Sequence, residues 1–94
     1  MVQTHGENVA RFRQEGLTFA ETYCPSPHCC PSRATFFSGL FPSQHGVWNN
    51  VDVGNTLSRG LSDGVRLWPE DLREAGYRLF YSGKWHVSAE ETPA

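Results

Sequence analysis

The chain of 94 residues has little of several things: no long apolar run, three cysteines, one methionine and almost no net charge. Each scarcity excludes something. A membrane-spanning helix needs about 20 consecutive apolar residues, and no stretch approaches that. A formal charge of −2, with ten acidic and eight basic residues interspersed along the chain, offers neither nucleic acid nor an anionic membrane a basic face. Cys24, Cys29 and Cys30 form an odd set with two adjacent members, a poor disulfide framework. Pairing Cys24 with Cys29 or Cys30 would close a small loop and leave one thiol over, so the cysteines do not fix a compartment. Met1 to Glu7 has neither the basic start nor the apolar stretch of a secretory leader. What is present is an ordinary globular composition, with 38% hydrophobic residues, three Trp and six Phe, and not the profile of a disordered chain. The length allows one small domain with a modest core.

The order of local signals is that of an α/β chain. Asn8 to Glu15 reads as a short helix with Val9 and Phe12 on one face and Gly16 as its stop. Leu17 to Glu21 alternates apolar and polar residues as a half-buried strand does. Pro25 and Pro27 exclude regular structure before His28. A second helix is expected from Pro31 to about Phe37, ended by Gly39. Leu40 to Leu67 is rich in Gly, Asn, Ser and Asp and reads as loops. Pro69 to Ala75 has proline and acids at its start and Gly76 at its end, which predicts a third helix. Tyr77 to Tyr81 then reads as a strand. This rhythm predicts a mainly parallel sheet flanked by helices, with sites outside the carboxyl ends of the strands. Two strands do not close such a sheet, so the chain reads as part of a larger domain, cut at both ends.

Two segments carry chemistry. A cysteine just ahead of a helix start meets unpaired N–H groups and the positive end of the dipole, which stabilise anions and lower a thiol's pKa. Cys29 is so placed, and Arg33 in the first turn adds an always-charged fork suited to an oxyanion. Lys84 and His86, two apart on an extended segment, are expected to leave the same face. Together these residues offer a nucleophile position, two cations and a titratable base, the equipment for group transfer from a sulfate or phosphate ester. The residues alone also admit a plainer reading: a buried small cysteine and solvated charges at element ends.

Cys29-Cys30-Pro31-Ser32-Arg33-Ala34-Thr35-Phe36-Phe37-Ser38-Gly39 resembles the signature of the type I sulfatases: Cys, any residue, Pro, Ser, Arg, four residues, then Ser or Thr with Gly. Glu15 to Phe19, followed by Tyr23 and Pro27, is similar to that family's lead-in. Gly76-Tyr77 and Gly83-Lys84-Trp85-His86 resemble its second signature. The likeness runs from Asn8 to Val87, centred on a nucleophile segment at 22–39 and a Lys/His segment at 83–87. It implies an N-terminal part of a sulfatase or alkaline-phosphatase-like α/β domain, mixed but mainly parallel.

The resemblance also implies a mechanism and its participants. Cys29 would be oxidised by a separate formylglycine-generating enzyme to formylglycine (3-oxoalanine). Its hydrate would attack the sulfur of a sulfate ester, and its second hydroxyl would then expel sulfate. Arg33 would hold the diol, Lys84 the sulfate oxygens, and His86 would orient the diol and take its proton. A divalent cation, usually calcium, would bind the modified Cys29. The family's other ligands, two adjacent acids after a first strand and a later acid with Asn or His, are not found. Asp63, Glu70, Asp71, Glu74, Glu90 and Glu91 lie in other contexts, and Thr4-His5-Gly6-Glu7-Asn8 departs from the usual Thr-Pro-Asn. Relatives are commonly periplasmic, secreted or lysosomal, and this stretch carries no leader to decide among these.

Other readings stay open beside this one. His45 and Trp48-Asn49-Asn50 are candidates to line a substrate pocket, or form a turn with an aromatic anchor. Trp85 is most simply packing that fixes Lys84 and His86. Cys30 reads as a core filler and Cys24 as structural. A zinc module on Cys24, His28, Cys29 and Cys30 is a rival, weakened by adjacent cysteines and by the absence of paired two-residue spacing. A phosphate or phosphonate monoester hydrolase and an inactive fragment are the nearer alternatives.

Overall fold

A computed structural model describes residues 6–52, 54 and 57–89. Four helices follow one another: α1 (Glu7–Glu15), α2 (Cys29–Ser38), α3 (Pro42–His45) and α4 (Trp68–Glu74). The first, second and fourth fall where the sequence patterns place helices. The single turn of α3 lies inside the stretch expected to be loop. It forms because Pro42 opens it with a preset φ and the Gln44 side chain accepts the Phe41 N–H at 3.0 Å. Gly46, with φ 84°, then ends it.

Two expectations are corrected. Among the described residues no strand is present, so Leu17–Glu21 and Tyr77–Tyr81 are not strands of a sheet here. A strand exists only through pairing with a neighbour, and neither segment has one; both lie exposed. The α2 helix also begins two residues earlier than Pro31. The Ser32 N–H bonds the His28 carbonyl at 3.1 Å, wrapping the first turn around Cys29. Pro31 fits inside that turn because the first N–H groups of a helix have no partner within it.

The buried core is small and local. Cys30 and Ala34, one helical turn apart on α2, meet Val47, Val51 and Val87, with Phe37, Leu61 and Trp85 packed against them. The C-terminus of α2 closes through Gly39 in the left-handed region, φ 72°. The Ser38 hydroxyl donates to the Ala34 carbonyl at 2.6 Å. Gly46 is required twice over. Its φ is positive, and a Cβ there would lie 2.0 Å from Ser62 Oγ, where the Ser62 N–H reaches the His45 carbonyl at 2.8 Å. The Ala89 N–H bonds the Arg59 carbonyl at 2.8 Å and so fastens the segment carrying Val87 to the loop before it.

Around this core runs an aromatic cluster. Phe37 lies 5.0 Å from Trp85 between ring centroids, 6.0 Å from Trp68 in a stacked arrangement and 6.3 Å from Tyr81. Trp68 donates its indole N–H to the Phe36 carbonyl at 3.1 Å, which ties α4 to α2. Outside the cluster the large apolar side chains face solvent, with Phe12 82% and Phe80 85% exposed. The radius of gyration, 16.2 Å, exceeds the ~13 Å of a compact domain of about 100 residues, as a small core with extended periphery requires.

Candidate active site

The site is built on the first turn of α2. Cys29 is its first residue and is exposed, whereas its neighbour Cys30 is wholly buried. One of the helix's unpaired donors is used from a distance: the Cys30 N–H bonds Asn50 Oδ1 at 3.1 Å. The Val51 N–H reaches Cys30 Sγ at 3.4 Å. Asn50 therefore tethers the loop after α3 to the start of α2. Sequence reasoning placed Asn50 in a pocket-lining stretch and gave it no such role.

The two predicted segments meet. Arg33 Nη1 donates to the Lys84 carbonyl oxygen at 2.8 Å across a sequence separation of 51, and the Tyr81 hydroxyl reaches the same oxygen at 2.5 Å. Trp85 wedges the segment in place against Phe37 and Tyr81, with ring centroids 5.0 and 5.6 Å away. This is the packing part expected of it.

The expectation that Lys84 and His86 share a face of an extended strand is not met, because His86 takes a left-handed backbone, φ 50°. Lys84 lies exposed while His86 turns partly inward. His86 Nε2 comes to 3.0 Å from Asp52 Oδ1, yet neither ring nitrogen is aligned for a directed hydrogen bond among the described residues. The contact is therefore an approach of charge to ring. The imidazole, first, and the Lys84 ammonium, to a lesser degree, pull the Asp52 carboxyl below its ordinary range. Asp52 is a residue that sequence reasoning missed; it sits in an Asn/Asp-rich loop where no spacing marks it.

His45 occupies the core. Its Nδ1 accepts the Val47 N–H at 3.1 Å, so the proton resides on Nε2, which stands 3.0 Å from Thr35 Oγ1. Burial, foremost, lowers its pKa below the usual histidine value, keeping it neutral. With both ring nitrogens engaged inside the protein, His45 presents no free polar atom to a substrate in this arrangement. The grouping of Cys24, His28, Cys29 and Cys30 is likewise dispersed. All three cysteines are free thiols, and Cys24 Sγ contacts the Ser26 carbonyl at 2.9 Å. Cys30 instead gathers with Asp52 and His86.

A family model described as Sulfatase matches residues 3–92. The chain belongs to the sulfatase family. It is 34% identical to an uncharacterized sulfatase, YidJ, of Escherichia coli (strain K12) over 86 residues, which are 90% of this chain and 16% of that protein. It is 35% identical to human N-acetylgalactosamine-6-sulfatase over 86 residues, 85% of this chain and 16% of the relative. It is 40% identical to human N-acetylglucosamine-6-sulfatase over 73 residues, 74% of this chain and 13% of the relative. The chain thus spans about a sixth of the length of these sulfatases. No solved structure matches it significantly.

Membership in this family implies an α/β fold. Among the described residues no cluster of three or more carboxylates that could hold a calcium ion is gathered. Calcium takes six to eight hard oxygen ligands. The one metal-compatible group among the described residues combines a thiol, an imidazole and a single carboxylate. Asp71 and Glu74 are spoken for, pairing with Arg66 at 2.7 and 2.6 Å. Among the described residues no helix is long and apolar enough to cross a membrane.

Proposed function

We propose that this chain is the nucleophile-bearing part of a sulfuric ester hydrolase, in which Cys29, as formylglycine, attacks the sulfur of a sulfate monoester. The observation that carries the reading is the Arg33–Lys84 hydrogen bond. It joins the two signature segments beside the exposed thiol at the start of α2. Exposure leaves Cys29 open to a modifying enzyme, and the helix start favours negative charge there.

Once formed and hydrated, formylglycine supplies the attacking oxygen and a second hydroxyl through which sulfate is released. The chain's own residues do the rest. Arg33 fixes the second segment with one arm of its guanidinium and directs positive charge at the helix start. Lys84, solvent-facing, neutralises the sulfate oxygens of the incoming ester. His86, partly shielded and beside Asp52, takes the proton at Nε2.

The test is chemical. The protein is co-expressed with a formylglycine-generating enzyme, and the peptide containing Cys29 is weighed after trapping aldehydes with a hydrazine. A trapped aldehyde at position 29 is the expected result; an unmodified thiol overturns the nucleophile assignment. Rates on aryl sulfate and aryl phosphate esters, measured on a full-length protein carrying this segment, then distinguish a sulfatase from a phosphate monoester hydrolase.

A further inference from the structure

We propose that Cys30, Asp52 and His86 form a binding site for a borderline divalent transition-metal ion of the zinc class, separate from any calcium site. The three arrive from the start of α2, the loop after α3 and the segment after Trp85. Each offers one ligand atom, and these atoms all lie within 4.8 Å of one another. His86 Nε2 and Asp52 Oδ1 already stand 3.0 Å apart. Tetrahedral zinc, with bonds of about 2.0–2.3 Å, sets its ligand atoms roughly 3.3–3.6 Å apart. Closing the triad around an ion therefore asks for small side-chain movements.

A second observation points to a ligand independently. Among the described residues the two buried ring nitrogens of His86 lack a directed hydrogen bond, Nε2 having only its 3.0 Å approach to Asp52 Oδ1. Poorly directed contacts of buried polar atoms are costly and uncommon, and an ion between Nε2 and Asp52 Oδ1 gives both atoms a directed ligand bond. The donor set chooses the ion: one thiolate sulfur, one imidazole nitrogen and one carboxylate oxygen suit zinc or cobalt, whereas calcium and magnesium require oxygen. The graded exposure gives the ion a way in, since Cys30 is buried, His86 partly buried and Asp52 open to solvent. The Val51 N–H directed at Cys30 Sγ is a donor placed to support a thiolate. Binding releases the Cys30 thiol proton to solvent and leaves a fourth position for water.

Occupancy also has a consequence for the proposed hydrolysis, and that consequence alone rests on the function proposed above. The ion takes the His86 lone pair assigned to proton transfer, so zinc and turnover compete.

The experiment reads binding and not turnover. The reduced, metal-stripped chain of 94 residues is titrated with cobalt(II) and monitored for thiolate-to-cobalt charge-transfer absorption. The expected result is a band that saturates at one ion per chain, is displaced by zinc, and persists in the Cys24→Ser/Cys29→Ser double variant. Cys30→Ser abolishes the band. Because Cys30 lies in the core, Asp52→Asn at the exposed position is the second variant, with helix content checked by circular dichroism. It weakens binding by more than the ~10–100-fold that loss of a partner behind a ligand costs. A band that survives Cys30→Ser, one that vanishes with Cys24 and Cys29, or no thiolate band at all overturns the site.

Discussion

The arm containing α1 and the knot around α2 have similar apolar content and opposite fates. Val9, Phe12, Leu17 and Phe19 line an open hollow between α1 and the segment after it, and α1 buries no residue. In the knot, Cys30, Ala34, Val47, Val51 and Val87 are sealed from water, although most are smaller. The difference lies in sequence distance. The arm's apolar groups have only near neighbours in the chain to meet. Those of α2 are met by a loop about 20 residues on, through Asn50, and by a segment 51 residues on, through Arg33. Burial here follows long-range partners and not the size of the side chain.

That contrast can be broken from either side. The largest effect is expected for His45→Ala, which empties a fully buried position and strands the Val47 N–H and Thr35 hydroxyl. A loss of about 2–4 kcal/mol is expected from the cavity and the unpaired polar groups together, read as a fall in denaturation midpoint. Gly46→Ala follows, because it forces a side chain into a left-handed position against Ser62. It should cost about 1–3 kcal/mol, with the Ser62 amide losing exchange protection first. Arg33→Ala should cost less globally, about 1 kcal/mol. Its signature is local: faster amide exchange at 84–87 with no change at 7–15. Phe12→Ser in the arm should stay within about 0.5 kcal/mol. A larger loss from Phe12→Ser than from His45→Ala would reverse the comparison.

Acid offers a further way to sharpen it. The His45 pKa is lowered on folding, chiefly by burial. Below the ordinary histidine range the unfolded chain therefore binds a proton that the folded chain refuses, and stability falls as pH drops. Asp52, whose carboxyl is depressed by His86, contributes stability above the ordinary carboxylate range that is lost as pH falls through its folded value. Melting curves should show a first decline between about pH 7 and 5 that the His45→Gln variant lacks. An unchanged slope in that variant would remove His45 from the account.

Much of the site was legible in one dimension. The helix from Pro31 on follows from proline in its first turn and Gly39 at its end, whereas its start at Cys29 was not legible. The proposed nucleophile position, Arg33 and the Lys84–His86 segment come from the resemblance to the sulfatase signatures, and the structure brings the two segments together. The sheet was not legible as structure, because the alternation at Leu17 and the aromatic run at Tyr77 record a preference that only a pairing partner converts into a strand. Asp52 and Asn50 were hidden for a related reason. Loop polar residues are informative only once it is known which buried group they face, and both face the start of α2. His45 shows the converse: a histidine after a nucleophile helix invites a pocket role, but its two nitrogens are consumed by Thr35 and Val47.

Residue identities and their spacing were enough to identify the family and to propose Cys29 as the nucleophile with its cationic companions. These depend on residue identity at fixed local spacing, which a single helix start can express. Tertiary structure alone decided that Arg33 holds the Lys84 carbonyl, that His86 turns toward Asp52, and that Cys30 rather than Cys29 joins them. Those outcomes depend on closing chain loops of 20 to 50 residues, whose ends are chosen by packing around a small buried core and not by any neighbour in the chain.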